Sequence, residues 1–318
     1  MNTGNRYSND WDEYSHLWET QFHPQYEHLG DEWNADLGDE WDDYITDDLA
    51  AGRLPWKRDD LYFTLYAERW LKADRTVLEV GPGGGKWTVR IAPRVKRLIA
   101  LDTSEEMLKR TRARCEALGL ENIEYLSGNG KDFQPVLDES IDFFFSYDVF
   151  AHIAPEDTWP YAQEMARVLA PGGIGVCHHA LNSTPQGWDR IERHNDWYRF
   201  GRHTVGQYYY TSPLALQRMY ERCGLYMLEQ HQESAHCTCV FGKPKQSVVP
   251  RLERLLKQLI DEQADDEQTS AAIVAELQAL PRELERLLAE ILASARQEKN
   301  HYQRVSYAAK IRRLWRGI

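Results

Sequence analysis

Long apolar runs are missing from this chain of 318 residues, none approaching the roughly 18 that a membrane span requires. The opening residues are polar, so no secretory leader is expected. Cysteine is scarce: five are present, an odd number lying far apart, which speaks against a disulfide framework and for a reducing, cytoplasmic setting. Basic residues are nearly absent from positions 1–50, where fourteen acids face Arg6 alone. That field, within a net charge of −12, repels nucleic acid and excludes it as an expected partner. Also lacking is a second Cys/His pair to support His236-Cys237-Thr238-Cys239 as a metal cluster. The run reads instead as an alternating strand. No tight group of carboxylates or histidines stands out elsewhere, and no metal site is expected.

What is present is concentrated in Val77-Leu78-Glu79-Val80-Gly81-Pro82-Gly83-Gly84-Gly85-Lys86-Trp87-Thr88. An apolar strand carrying a carboxylate opens into a glycine loop, and helix-competent residues follow. Glycine tolerates positive φ and has no side chain in the way, so backbone N–H groups can approach a ligand closely. The next apolar strand, Arg97-Leu98-Ile99-Ala100-Leu101-Asp102, again ends in an acid. Two such strands form the nucleoside-binding half of a doubly wound sheet.

A phosphate loop of the G-x-x-x-x-G-K-[ST] type fails twice, because Trp87 follows Lys86 and Val80 stands five before Gly85. The dinucleotide pattern G-x-G-x-x-G meets Gly81 and Gly83 but finds Lys86 in the third place. The remaining pattern, Glu79, Gly81, Gly83 and Gly85, resembles the first motif of class I S-adenosylmethionine-dependent methyltransferases. The likeness continues in order along the chain. Ser127-Gly128-Asn129-Gly130-Lys131-Asp132-Phe133 resembles the adenine-contacting turn, with Asn129 where many relatives carry Asp. The run from Ile141 through Asp148 to Ile153 resembles the fourth strand and its loop, and Leu169-Ala170-Pro171-Gly172-Gly173 the turn into the fifth. A nicotinamide or nucleotide enzyme of the same architecture remains open.

The resemblance implies an α/β fold: a Rossmann-like, seven-stranded, mostly parallel sheet with helices on both faces. It implies S-adenosyl-L-methionine as cofactor. The contacting residues would be Glu79, Gly81, Pro82, Gly83, Gly85, Trp87, Asp102, Thr103, Met107, Asn129, Gly130, Lys131 and Ser146. Glu79 would face the ligand's ammonium end or order the loop, Asp102 would accept from the ribose hydroxyls, and the Asn129 carbonyl from the adenine amino group.

Around this domain, taken as 56–245, composition suggests three appendages. Residues 1–55 are acidic and aromatic, repeat Leu-Gly-Asp-Glu-Trp at 29–33 and 37–41, and read as a cap, with a disordered acidic arm as the alternative. Residues 249–300 carry heptad-spaced apolar positions, among them Leu277, Leu280, Leu284, Leu287 and Ile291. They read as a coiled coil joining copies into a homo-oligomer, or as a helical hairpin. Residues 301–318 are basic and amphipathic, suiting peripheral contact with an inner membrane face or docking onto the acidic segment.

Methyl transfer to a hydroxyl requires alignment and removal of a proton. The site is expected beyond the carboxyl ends of the strands, where the fourth leads to Asp148 and His152 and the fifth to His178 and His179. Alternation sends His178 and His179 to opposite faces, so at most one serves as base. The order of preference is His179, His178, His152, with Asp148 as partner, and the alternative is that they only pack. The insert 181–211 interleaves aromatic and basic residues. Trp188, Arg190, Trp197, Tyr198, Arg199, Tyr208 and Tyr209 are read as the acceptor wall, with a mini-core under the loop as the alternative. The Leu-Gly-Asp-Glu-Trp entry, the His178-His179 pair and the coiled-coil appendage together resemble bacterial methyltransferases of surface-polysaccharide assembly. The expected reaction is O-methylation of a sugar hydroxyl on a glycan or its lipid-linked precursor, with a glycan-assembly enzyme as a further partner. A small-molecule O- or N-methyltransferase of natural-product metabolism and a non-catalytic adenosylmethionine-binding scaffold are the alternatives.

Overall fold

The computed structural model describes residues 6–17, 61–199 and 207–245, with side chains over 11–16, 61–192 and 207–245. Most of the N-terminal cap, the coiled coil and the basic tail lie outside the described residues. So do the side chains of Trp197, Tyr198 and Arg199.

The apolar runs pair as the sequence pattern demands. Strands β1 (Thr76–Val80), β2 (Arg97–Asp102), β3 (Ile123–Ser127), β4 (Ile141–Ser146) and β5 (Leu169–Leu181) are parallel. A two-residue β6 (Tyr210–Thr211) pairs with the end of β5. Strands β7 (Tyr226–Glu233) and β8 (His236–Gly242) form an antiparallel hairpin, and β8 inserts antiparallel to β5. The order is β3-β2-β1-β4-β5-β8-β7 with β6 beside that path, one strand more than the seven expected. The order reverses between β1 and β4, and a crevice opens at such a switch point beyond the strand ends.

Central strands of this type are covered on both faces, so their sequences are nearly continuous in apolar residues. On one face Leu78, Leu101, Phe144, Cys177 and Phe241 pack under α4 (Pro155–Val168) and α6 (Pro213–Arg222). On the other, Val77, Leu98, Phe143, Phe145 and Val176 pack under helical turns at 61–70 and the short α2 (Thr88–Ile91). Helix α3 (Glu105–Ala117) starts where the capping pattern places it. The Ser104 hydroxyl accepts from the Met107 N–H at 3.1 Å, and Glu105 and Glu106 complement the helix dipole. Helix α1 (Arg6–Leu17) is tied to α3 through Ser104 Oγ donating to Asp12 at 2.5 Å and Arg110 donating to Ser15 at 2.7 Å. Helix α5 (Pro185–Arg199) leads out of β5. Among the described residues no helix is long and apolar enough to cross a membrane.

Candidate active site

The glycine turn after β1 is closed by backbone bonds from Gly81 N to Leu101 O at 2.8 Å and from Gly85 N to Pro82 O at 2.9 Å. Thr111 Oγ1 donates to the Gly83 carbonyl at 2.6 Å. Two glycines have specific reasons. Gly81 has φ +71, and a Cβ there would lie 2.1 Å from Val149 Cγ2, so the strand end and the loop after β4 touch only because the side chain is missing. Gly83 has φ +57, and a Cβ there would meet nothing within 4 Å: the loop faces open space.

Two acids edge that space. Glu79, on β1, is buried. Its Oε2 accepts from Thr88 Oγ1 at 2.8 Å, while its buried Oε1 accepts no hydrogen bond among the described residues. Burial pushes its carboxyl up from 4.5 to about 8, against the Thr88 bond and with a smaller push from Asp102. Asp102 ends β2 and accepts the Ser104 N–H at 2.9 Å. Burial raises it from 3.8 to about 6, opposed by backbone N–H groups of Ser104, Gly83 and Thr103. An ionised carboxylate has about four acceptor positions, so Asp102 has capacity left beyond its backbone partners. A buried carboxylate oxygen with no donor, beside an open glycine cradle and a second acid, fits a ligand that brings a cation and hydroxyls. S-adenosylmethionine has both, with a sulfonium, an ammonium and a ribose.

Other residues expected at the cofactor are placed differently. Trp87 turns its ring into the core, stacked on Phe63 at 6.1 Å between centroids and tilted against Tyr147 at 5.1 Å. The Ser146 hydroxyl is committed to the Val80 carbonyl at 2.9 Å, joining β4 to β1. The Asn129 carbonyl accepts from the N–H groups of Lys131 (2.8 Å) and Asp132 (3.1 Å), so it shapes its own turn. Lys131 is exposed and Met107 buried in the first turn of α3. Pro82 and Gly85 are buried, and Thr103 half-buried, within the loop and at the end of β2. Gly130 follows Asn129 at φ +69.

Beyond β4 and β5 lies a second cluster, and here the histidine order is corrected. Strand β5 continues past His179 to Leu181, so neither histidine is at its tip. His179 faces α6: its Nε2 meets the Tyr220 hydroxyl at 2.9 Å, and Phe150 packs on its ring. Burial pushes it down to about 3, so it is a weakly basic side chain held in the core by Tyr220. His178 faces the other way, between the rings of Tyr147 (4.4 Å, 16°) and His236 (4.6 Å, 17°). Its Nδ1 is 3.6 Å from Asp148 Oδ1. His152 Nε2 is 3.9 Å from the same oxygen, and its Nδ1 meets the Gln207 carbonyl at 3.1 Å. A carbonyl only accepts, so Nδ1 carries the hydrogen and Nε2 of the neutral ring keeps its lone pair. Asp148 itself holds a left-handed backbone at φ +57, unusual outside glycine, which aims its carboxylate into the cluster. Burial would raise its carboxyl, but the neighbouring His178, with His152 and His236 close by, holds it well below the usual range.

Part of the insert packs against this cluster. Arg190 is buried, donates to His236 Nε2 at 2.8 Å and lies 4.6 Å over the Tyr208 ring. Tyr208 also packs on His152 at 4.4 Å, and Trp11 of α1 meets His152 edge-on at 5.1 Å. Tyr209 anchors the strand by its N–H to Ala151 O at 2.7 Å. Trp188 is 55 % exposed and points away from an enclosed wall. His236 was missed. The expectation that no donor cluster exists is corrected as well, since Asp148, His178 and His236 each place a donor atom within 4.8 Å of the others. The available signal was alternation: His236 and Thr238 share a face of β8, and that strand pairs Ala180 with His236 and His178 with Thr238.

Comparison with known proteins agrees with the first half of this geometry. Residues 77–173 match the family model described as a methyltransferase domain. A demethylmenaquinone methyltransferase of Geobacillus stearothermophilus is 28% identical over 141 residues, 43% of this chain and 57% of its own length. A Listeria welshimeri protein of the same name is 28% identical over 136 residues, 42% of this chain and 56% of its own length. The chain thus spans a little over half the length of these curated relatives. Among solved structures, a putative sarcosine dimethylglycine methyltransferase from Galdieria sulphuraria superposes with a TM-score of 0.51 at 16% identity, covering 76% of this chain and 99% of that one. The glycine turn, its two acids, the sheet order and the matched model agree: residues 77–173 are similar to a methyltransferase domain, on a Rossmann-like, mostly parallel sheet.

Proposed function

We propose that the protein transfers the methyl group of S-adenosylmethionine to a hydroxyl of a polar acceptor, with a sugar hydroxyl of a glycan or its lipid-linked precursor as the leading class. The observation that carries this reading is the meeting of the glycine loop and the histidine cluster at one switch point. Gly81 of the cofactor loop touches Val149, the residue that follows Asp148 of the histidine cluster. When bound, the cofactor supplies an electrophilic methyl on a positively charged sulfur. Glu79, freed of its proton, would face a positive charge of the ligand, and Asp102 would accept from ribose hydroxyls. In the cluster, Tyr147 and Tyr208 offer flat faces and Arg190 a buried cation, a lining that suits a sugar ring. His152 Nε2 would accept the hydrogen bond of the acceptor hydroxyl and take its proton as the methyl passes from sulfur to oxygen, the sulfur–methyl bond breaking to leave adenosylhomocysteine. The order of preference therefore shifts from His179 to His152, with Asp148 beside it.

A quinol acceptor is the second reading, favoured by the names of the curated relatives and compatible with an aromatic lining. Incubation of the full chain with methyl-labelled S-adenosylmethionine and separate fractions of lipid-linked glycans, nucleotide sugars, quinols and small metabolites discriminates the two. Label in a glycan or nucleotide-sugar fraction, lost in His152→Gln with cofactor binding retained, supports the lead. Label in quinols selects the second reading. Tight cofactor binding with label in no fraction leaves the non-catalytic scaffold.

A further inference from the structure

Asp148 Oδ1 and His178 Nδ1 lie 3.6 Å apart. That is too long for a hydrogen bond, which needs about 2.7–3.2 Å. It is close to the roughly 3.3–3.5 Å that separates neighbouring N and O ligands around a tetrahedral ion with bonds of about 2.0–2.2 Å. A nitrogen of His236 completes the trio, all three donor atoms lying within 4.8 Å of one another. Both histidines are buried, and His178 is clamped between the Tyr147 and His236 rings, so its nitrogen cannot swing out. The carboxylate is aimed by a left-handed backbone that a non-glycine residue adopts at a cost. His152 Nε2 lies 3.9 Å from the same oxygen but stays outside the trio, its other nitrogen anchored on the Gln207 carbonyl.

From this geometry we infer that Asp148, His178 and His236 form a site for a divalent first-row transition ion. Two imidazoles and one carboxylate suit such an ion better than calcium or magnesium, which prefer all-oxygen shells. One contact sets the terms of binding. Arg190 Nη1 sits 2.8 Å from His236 Nε2, so the guanidinium occupies the place of a cation at this edge of the cluster. A guanidinium does not give up its proton, so it holds His236 with the hydrogen on Nδ1. An ion and Arg190 therefore compete for His236, and metal uptake requires the insert helix to withdraw that one side chain. The binding claim stands apart from the methyl acceptor. Its use, polarising an acceptor hydroxyl beside His152, rests on the reading above.

The test is titration of the full chain with Co²⁺, followed by its visible absorption, with Zn²⁺ as displacing ion. Ions held elsewhere on this acidic chain are common to every variant and subtract out. Saturation at one site per chain is expected, weakened more than about 100-fold by Asp148→Asn and by His178→Gln. Arg190→Met is expected to tighten binding about tenfold, since a charged hydrogen bond no longer competes. Circular dichroism verifies that each variant is folded, and Asp148→Asn, which preserves shape, decides the matter if His178→Gln does not fold. Uptake that survives Asp148→Asn unchanged overturns the site. So does the absence of Asp148-dependent uptake in both the wild type and Arg190→Met. Uptake by Arg190→Met alone upholds the site with Arg190 as its competitor. Calorimetry with S-adenosylmethionine on the same wild-type sample reports separately on the methyltransferase reading.

Discussion

Glu79 makes the protein's stability fall as pH rises, and a bound cofactor should reverse part of that fall. Its carboxyl lies at about 8 in the folded chain against 4.5 when free. Between those values the folded state keeps a proton that the unfolded state has released, so stability is highest below pH 4.5 as far as this group is concerned. It is lost progressively toward pH 8. At 1.36 kcal/mol per pH unit the loss is about 3 to 4 kcal/mol between pH 5 and pH 8. Asp102, raised to about 6, contributes in the same direction at the acid end of that window. Urea unfolding at pH 5 and pH 8 measures the wild-type slope. Glu79→Gln preserves the shape and the bond from Thr88 but has nothing to titrate. It should flatten the slope and leave the variant about 3 kcal/mol more stable than wild type at pH 8.

The same acid ties protons to ligand binding. A cationic ligand beside Oε1 favours the ionised carboxylate, so S-adenosylmethionine should expel about 0.9 proton at pH 7. Calorimetry in phosphate and in Tris, which differ in ionisation heat, reads that number directly. Glu79→Gln should expel almost none while binding more weakly. A wild-type stability that is flat or rises from pH 5 to pH 8, or proton release that persists in Glu79→Gln, would refute the assignment of this carboxylate.

Four further outcomes follow from contacts in and around the site. Gly83→Ala should cost about 1 kcal/mol of stability from its positive φ, yet weaken S-adenosylmethionine binding strongly, because the methyl enters open ligand space. Gly81→Ala should cost about 2–3 kcal/mol or more, since its methyl collides with Val149; denaturation and calorimetry on the pair separate the two effects. Tyr220→Phe removes the partner of the buried His179 nitrogen and should destabilise by about 1–3 kcal/mol in urea unfolding, with cofactor affinity unchanged. Arg110→Ala breaks the bond that holds α1 on α3 at Ser15. Hydrogen exchange in residues 6–17 should then rise well before that of the sheet, and equal protection in variant and wild type would show that α1 is held by other contacts.

How much of this was legible in the chain follows from where each contact lies along it. The cofactor half is local. Glu79, Gly81, Gly83 and Thr88 fall within one strand, one turn and one helix start, and Asp102 ends the next apolar run, so spacing alone brought them together. The histidine cluster is assembled across the sheet. Asp148 comes from the loop after β4, His178 from β5, Arg190 from the insert helix and His236 from a strand that pairs antiparallel with β5. Period-two alternation was enough to place His178 and His179 on opposite faces. Which face is filled by α6 and which opens toward Tyr62 and Tyr147 depends on helix packing that no local pattern encodes. Tyr220, forty-one residues beyond His179, decides that His179 is core. His236 was hidden for a related reason. Within its own strand it neighbours two cysteines that point the other way, so the local run suggested a four-residue cluster where the fold makes a three-strand one. The same physics explains the misplaced Trp87, Ser146 and Asn129. Each stands where a ligand contact is expected by position, but its polar or aromatic group is already satisfied by a nearer partner, and a committed group adds little to ligand binding.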